Sequence, residues 1–200
     1  MARRGSYAKG IAKREEILTV ALDLVAQQGF RQTSIKDIAD AVGLTQAGLL
    51  HYFDSKDDLW VEILRRRDEV DLAHDWGTTA EDPGAFLAAI VRHNTEVPGL
   101  VQMFVNLSAA AATDAGHPAH EYFRERYERS RDDFARDFRT MQQDGRLRTD
   151  VDVEQLASVL LAISDGMQIQ WLYDPSRDMA EHVELVARLA VAQSVTPASA

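Results

Sequence analysis

Residues 34–56, SIKDIADAVGLTQAGLLHYFDSK, read as two short helices joined by a tight turn. Ser34 stands before an apolar-periodic run with Asp37 three residues on, the pattern of a capped helix start, so a helix is predicted over residues 35–41. Val42-Gly43-Leu44 makes the turn, where Gly43 supplies a positive φ at no steric cost. Thr45 then caps a second helix that runs to about His51. Ala39 is small where the two helices cross, and Ile38, Val42, Leu44 and Leu49 are expected to face inward. A short glycine-containing connection between two short helices is what a helix-turn-helix requires.

Working outward, residues 11–28 form a first helix with Ile17, Leu18, Ala21, Leu24 and Val25 on one stripe, stopped at Gly29, with Phe30 turned into the same small core. The ten residues before it read as a free basic arm. Downstream, Ser55 with Asp58 starts a longer helix to about residue 72. Five more helices follow, separated at Glu81-Asp82-Pro83, Val97-Pro98-Gly99, residues 115–118, Asp144-Gly145 and Asp174-Pro175. No alternating run of β-branched residues suggests a strand. The expected fold is all-α, about nine helices, with a three-helix helix-turn-helix domain over residues 1–54 and a larger helical domain over residues 55–200.

Charge divides along the chain. The overall net charge is −10, but residues 1–67 hold 11 Lys and Arg against 9 Asp and Glu, whereas residues 68–200 hold 11 against 23. All four lysines lie in the first part, and residues 1–14 hold five basic groups and no acid. Phosphate repels the acidic body, so only the N-terminal end suits an approach to DNA.

Several classes are set aside by composition. With no cysteine there is no disulfide, thiolate metal site or cysteine nucleophile. No apolar stretch reaches the ~18 residues of a membrane span and no signal peptide is recognisable, so the cytoplasm is the expected location. His117 and His120 are three apart, but Pro118 between them marks a helix start, and no metal site is expected. No phosphate loop or nucleophile motif suggests an enzyme, and no cofactor is implied.

The pairs Gly29-Phe30, Thr33-Ser34, Ile38-Ala39, Val42-Gly43 and Tyr52-Phe53, followed by Lys56, stand at the spacing of the TetR family of bacterial regulators, which residues 13–58 closely resemble. The resemblance implies operator DNA as a partner, most naturally a palindrome read by a homodimer. On that reading Thr33 and Ser34 offer hydroxyls and free N–H groups to phosphate, Lys36 and Lys56 add point charges, and Tyr52 adds a phenolic donor. Thr45, Gln46, Ala47, Gly48 and His51 form the face that meets base edges, with Gln46 suited to adenine and Thr45 or Ala47 to a thymine methyl. Arg3 and Arg4 would reach the minor groove or phosphate. Each residue has a plainer use: Ser34 and Thr45 cap helices in any protein, and Tyr52 and Phe53 serve equally as core aromatics.

The resemblance further implies dimerisation through the last two helices and a small-molecule pocket whose occupancy moves the recognition helices. Leu160, Ile163 and Met167 on the eighth helix, with Val183, Val186, Leu189 and Ala190 on the ninth, are the expected interface. Residues 165–175, DGMQIQWLYDP, are also similar to a subset that includes the choline-responsive repressors. For the pocket, Gln102 and Asn106 share one face of an otherwise apolar helix that is expected to be buried all round, with His93, Met103, Phe104 and Trp171 as lining. Buried amides bonded to neighbouring helices serve as well. The function so read is a repressor released from its operator by a small molecule. The alternatives are a constitutive regulator or activator, and a small-molecule carrier with a vestigial helix-turn-helix.

Overall fold

The computed structural model describes the backbone of residues 2–75 and 82–191, and the side chains of residues 8–75, 82–97 and 99–191. Among these residues lie nine helices: α1 (Ala2–Gln28), α2 (Ile35–Ala41), α3 (Gln46–Leu50), α4 (Lys56–Ala73), α5 (Pro83–Glu96), α6 (Pro98–Thr113), α7 (Ala119–Gln143), α8 (Val153–Tyr173) and α9 (Met179–Ala190). The only extended pairing among them is a single antiparallel bridge between Leu147 and Val191. The all-α expectation holds. No helix among the described residues is long and apolar enough to cross a membrane.

One boundary differs. The predicted free arm is instead the start of α1, which reaches back to Ala2. Within residues 2–10 only Gly5 and Gly10 disfavour a helix, at about 1 kcal/mol each, and the alanines, arginines and lysines around them favour it.

The chain divides into two compact units, Met1–His74 with Asn94–Arg124 and Asp75–His93 with Glu125–Ala200. In the first unit α4 is the shared member, packing on both α1 and α6. Its stripe Leu59, Trp60, Ile63 and Leu64 is buried, as are Ile17, Leu18, Ala21 and Val25 of α1. Each such large apolar side chain contributes about 1.5–3 kcal/mol on burial. Phe30 meets Trp60 edge to face with ring centroids 5.1 Å apart, as expected of a residue turned into this core. Gly29 and Gly43 take φ of 87° and 69°, the left-handed values that end α1 and turn α2 into α3. Gly99 is needed for a different reason. A Cβ there would lie 2.5 Å from the Val25 carbonyl oxygen and 2.8 Å from Gly29 Cα, so α6 starts against the bare backbone where α1 ends.

Helix α6 is not buried all round. Leu100, Val101, Met103, Phe104, Leu107 and Ala111 face the core, while Asn106, Ala109 and Ala112 are exposed. Small side chains made the helix read as uniformly apolar, although a stripe of alanines needs no cover.

In the second unit α8 and α9 pack on one another. Leu156, Leu160, Met167 and Trp171 of α8 and Met179, Val183 and Ala190 of α9 are buried, together with Phe134, Phe138 and Met141 of α7. Asp152 and Asp178 cap α8 and α9 by accepting backbone N–H bonds at their first turns. The loop between α7 and α8 is held by Gln142, whose amide donates to the carbonyls of Arg148 at 2.8 Å and Val151 at 2.9 Å.

The close approach at Gly99 predicts that Gly99→Ala lowers stability by roughly 1–3 kcal/mol, since backbone cannot move aside. Gly10→Ala, with nothing within 4 Å of its Cβ position, is expected to raise it by up to about 1 kcal/mol. Urea unfolding followed by circular dichroism checks both, and equal midpoints for the two variants would contradict the packing described.

Candidate nucleic-acid interface

Two caps and one cross-link build the interface. At the start of α2 the Ser34 hydroxyl accepts from the Asp37 N–H at 3.2 Å, and the Asp37 carboxylate accepts from the Ser34 N–H at 2.8 Å. The hydrogen bond from the Ser34 side chain, then that from its backbone, holds the Asp37 carboxyl below the usual aspartate value. At α3 the Thr45 hydroxyl accepts from the Gly48 N–H at 3.0 Å. The turn between these helices is tied to α1: Lys13 Nζ donates to the Val42 carbonyl at 2.7 Å and to Glu16 at 2.8 Å.

A five-residue helix cannot hold itself together in water, because nucleation costs more than one turn returns. Helix α3 persists through its Thr45 cap and through Leu49, fully buried against the α2 side with Ile38 and Ala39. That leaves the opposite face outward. Thr45, Gln46, Ala47 and His51 are exposed and Gly48 is half-buried. Beyond α3, Phe53 is buried and Tyr52 half-buried. The Arg14 guanidinium lies 5.1 Å from the Phe53 ring centre and pairs with Glu62 at 2.7 Å. Lys56 is exposed, and so is Lys36, whose Nζ is 3.3 Å from Asp40 on the same face of α2. An exposed pair of this kind is weak and yields readily to a phosphate.

Thr33 differs from expectation. It is buried, donating to the Gly29 carbonyl at 2.9 Å and accepting from the Gln28 amide at 3.3 Å. Its hydroxyl closes the corner between α1 and α2 and is not presented to a phosphate, whereas Ser34 beside it is exposed. The side chains of Arg3 and Arg4 lie outside the described residues.

The expected ligand residues are placed in different surroundings. Asn106 is exposed and donates to the Gln102 carbonyl one turn back at 2.7 Å, so the buried amide pair does not form. Gln102 is half-buried, and Met103 and Phe104 are buried in the first unit. His93, half-buried, and Trp171, buried, belong to the second. His117 and His120 have structural uses: the former accepts from the Ala119 N–H at 3.0 Å, and the latter's Nδ1 lies 2.8 Å from the Ala111 carbonyl oxygen.

Four of the seven expected dimer residues, Leu160, Met167, Val183 and Ala190, are buried within the protomer's own core. Ile163 and Val186 are half-buried, and Leu189 is 68% exposed. The outward apolar face is instead Val159, Ile169 and Tyr173 of α8 with Leu185 and Leu189 of α9. Periodicity marked both faces of α8 as apolar and could not tell the inner from the outer.

Three further residues are not announced by the sequence. Lys13 acts on a carbonyl 29 positions away, which no local spacing announces. Arg67 and Asp71 are buried polar residues on the stripe that begins with Leu59 and Ile63. Their helical phase is legible in the sequence, but charged residues are ordinarily assigned to a solvated face.

Comparison with known proteins agrees with this geometry. Residues 17–63 match the pattern of the bacterial regulatory proteins of the tetR family, and residues 81–195 that of the BetI-type transcriptional repressor C-terminal domain. The HTH-type transcriptional repressor KstR2 of Rhodococcus jostii is 47% identical over 53 residues, 26% of this chain and 26% of that protein. The match thus spans about a quarter of that relative's own length. A transcriptional regulator of Saccharomonospora viridis solved in complex with choline superposes with a TM-score of 0.67 at 26% identity, over 90% of this chain and 98% of that one. A TetR-family regulator from Rhodococcus sp. gives 0.70 at 19% identity, over 90% and 98%, which speaks for the fold alone.

The lowered Asp37 carboxyl sets a pH dependence. A carboxyl whose folded value lies below its unfolded one stabilises above the unfolded value, and that contribution drains away as pH falls through the folded value. Wild type should therefore melt above Asp37→Ala at neutral pH, with the gap closing below about pH 4. A gap that persists unchanged at pH 2.5 would show that the ionised carboxylate is not the cause.

Proposed function

The chain belongs to the TetR family of bacterial transcriptional regulators, with a BetI-type C-terminal domain, and from that premise we propose that it is a dimeric repressor released from its operator by a small molecule. The observation that carries the reading is the capped, core-backed helix α3, which leaves Thr45, Gln46, Ala47 and His51 exposed on one face. Residues 1–54 are the proposed DNA-binding domain and residues 55–200 the effector-binding and dimerisation domain.

Within the DNA-binding domain Gln46 reads a base edge, Thr45, Ala47, Gly48 and His51 complete the groove-facing surface, and Ser34, Lys36, Tyr52 and Lys56 hold phosphates and set register. Arg3 and Arg4 add phosphate or minor-groove contacts. A chromosomal operator implies action in the cytoplasm. Choline in the solved Saccharomonospora regulator supports a small-molecule effector for this chain as well.

The proposed homodimer closes through the outward face of α8 and α9. Tyr173 is 88% and Leu189 68% exposed, with Val159, Ile169 and Leu185 about half exposed beside them. Gly166 lies in the middle of α8, and nothing stands within 4 Å of where its Cβ would be. A mid-helix glycine costs about 1 kcal/mol, and its use here is to let a partner helix come close. A two-fold dimer then reads two half-sites about 34 Å apart or a multiple of that distance.

Mobility-shift titration against the chain's own upstream DNA tests the core of the reading, and no sequence-specific complex at low salt would overturn it in favour of a carrier. Given a complex, Gln46→Ala is expected to lose roughly 1–3 kcal/mol of preference at one position. Lys56→Ala should weaken all sequences alike and reduce the salt slope by about one. Identical effects would refute this division of roles. For the dimer, Leu189→Glu combined with Gly166→Glu should sediment as a monomer at micromolar concentration while staying folded, and an unchanged dimer would move the interface elsewhere.

A further inference from the structure

Arg67 sits on the buried stripe of α4 and is 4% exposed. A guanidinium carries five N–H groups, and removing them from water without acceptors is among the costlier things a core can do. One nitrogen is well served: Nη2 donates to Asp68 Oδ1 at 2.9 Å. Nε stands 3.7 Å from Asp71 Oδ2, an ion pair too long for a hydrogen bond. Nε and Nη1 are buried and have no hydrogen-bond partner.

The surroundings look built for recognition. The Phe104 ring of α6 lies 5.3 Å from the guanidinium carbon and meets Phe123 edge to face at 5.3 Å. The Tyr122 hydroxyl donates to Asp68 Oδ2 at 2.6 Å, which holds the far side of the carboxylate that Arg67 grips. All of these groups lie in one compact unit. The arginine is therefore fixed by an aspartate on one side and an aromatic face on another, with donor capacity left over.

We propose that Arg67 is an effector-recognition residue, and that the effector presents an oxygen acceptor, a carbonyl or carboxylate, to Nη1, with an apolar body against Phe104. This rests on the ligand-responsive reading above and adds the chemical class of the ligand. An effector at Arg67 acts on α4, the same helix that holds Arg14 of α1 through Glu62. Occupancy is therefore felt where the DNA-binding helices are anchored.

The test uses the full-length protein without DNA and three probes of one length, hexanamide, hexanoate and hexylammonium, at millimolar concentration. Hexanamide or hexanoate should raise the melting temperature and shift the side-chain resonances of ¹⁵N-arginine-labelled wild type. Arg67→Met should bind the same probe roughly ten- to a hundredfold more weakly, the loss expected of a hydrogen bond to a charged donor. Arg67→Lys, which keeps the buried charge, assigns the Arg67 resonance, so this measurement decides the matter even if Arg67→Met fails to fold. Equal binding by Arg67→Met, a response to hexylammonium alone, or no response to any probe overturns the proposal. Addition of operator DNA afterwards separates the two readings: a probe that binds through Arg67 yet leaves the DNA complex intact sustains the recognition residue and counts against inducible repression.

Discussion

Withdrawal of one face of α4 from water is the constraint on which the first unit depends. Leu59, Trp60, Ile63 and Leu64 are buried on a helix that packs on both α1 and α6, which also pack on one another. Four side chains of this size represent on the order of 6–12 kcal/mol of apolar burial, comparable to the whole net stability of a domain. Everything presented to DNA hangs from this core. Helix α1 carries Lys13 to the turn of the helix-turn-helix and Arg14 to Phe53 and Glu62, so the turn before α3 and the segment after it are both tied to α1.

What was legible in the sequence was what is decided locally. The caps Ser34, Thr45 and Ser55 and the stops at Gly29 and Gly43 depend on a few neighbouring atoms, and all formed as read. What was not legible was decided by packing at a distance. Thr33 and Ser34 are both hydroxyls at a helix start, and only the turn of the chain makes one of them internal. Leu160 and Val159 are adjacent and equally apolar, yet one is fully buried and the other half exposed, because hydropathy carries no sign for direction. Asn106 illustrates the converse case. Its amide found a partner one turn back on its own helix, so the exposed position needed nothing from elsewhere.

The charge division also acquires a physical meaning. The segment up to Arg67 has an excess of only two positive charges, and two of its bases, Lys13 and Arg14, are engaged in holding α1 to the turn and to α4. Electrostatic attraction from a single head is correspondingly small, and in the proposed dimer the second contact forms at high effective concentration. The acidic remainder, repelled by phosphate, then favours the orientation in which only the heads approach.

The outward face of α3 contributes almost nothing to the core. Gln46, Ala47 and His51 are exposed, while the helix is held by Thr45 at one end and Leu49 beneath, and the turn before it by Lys13. On the proposed assignment, specificity and stability are carried by different residues in and beside the same short helix. Descendants of this chain can drift in Gln46 and Ala47 without first acquiring a compensating change in the fold, so the proposed recognition face is the cheapest part of the molecule to reinvent.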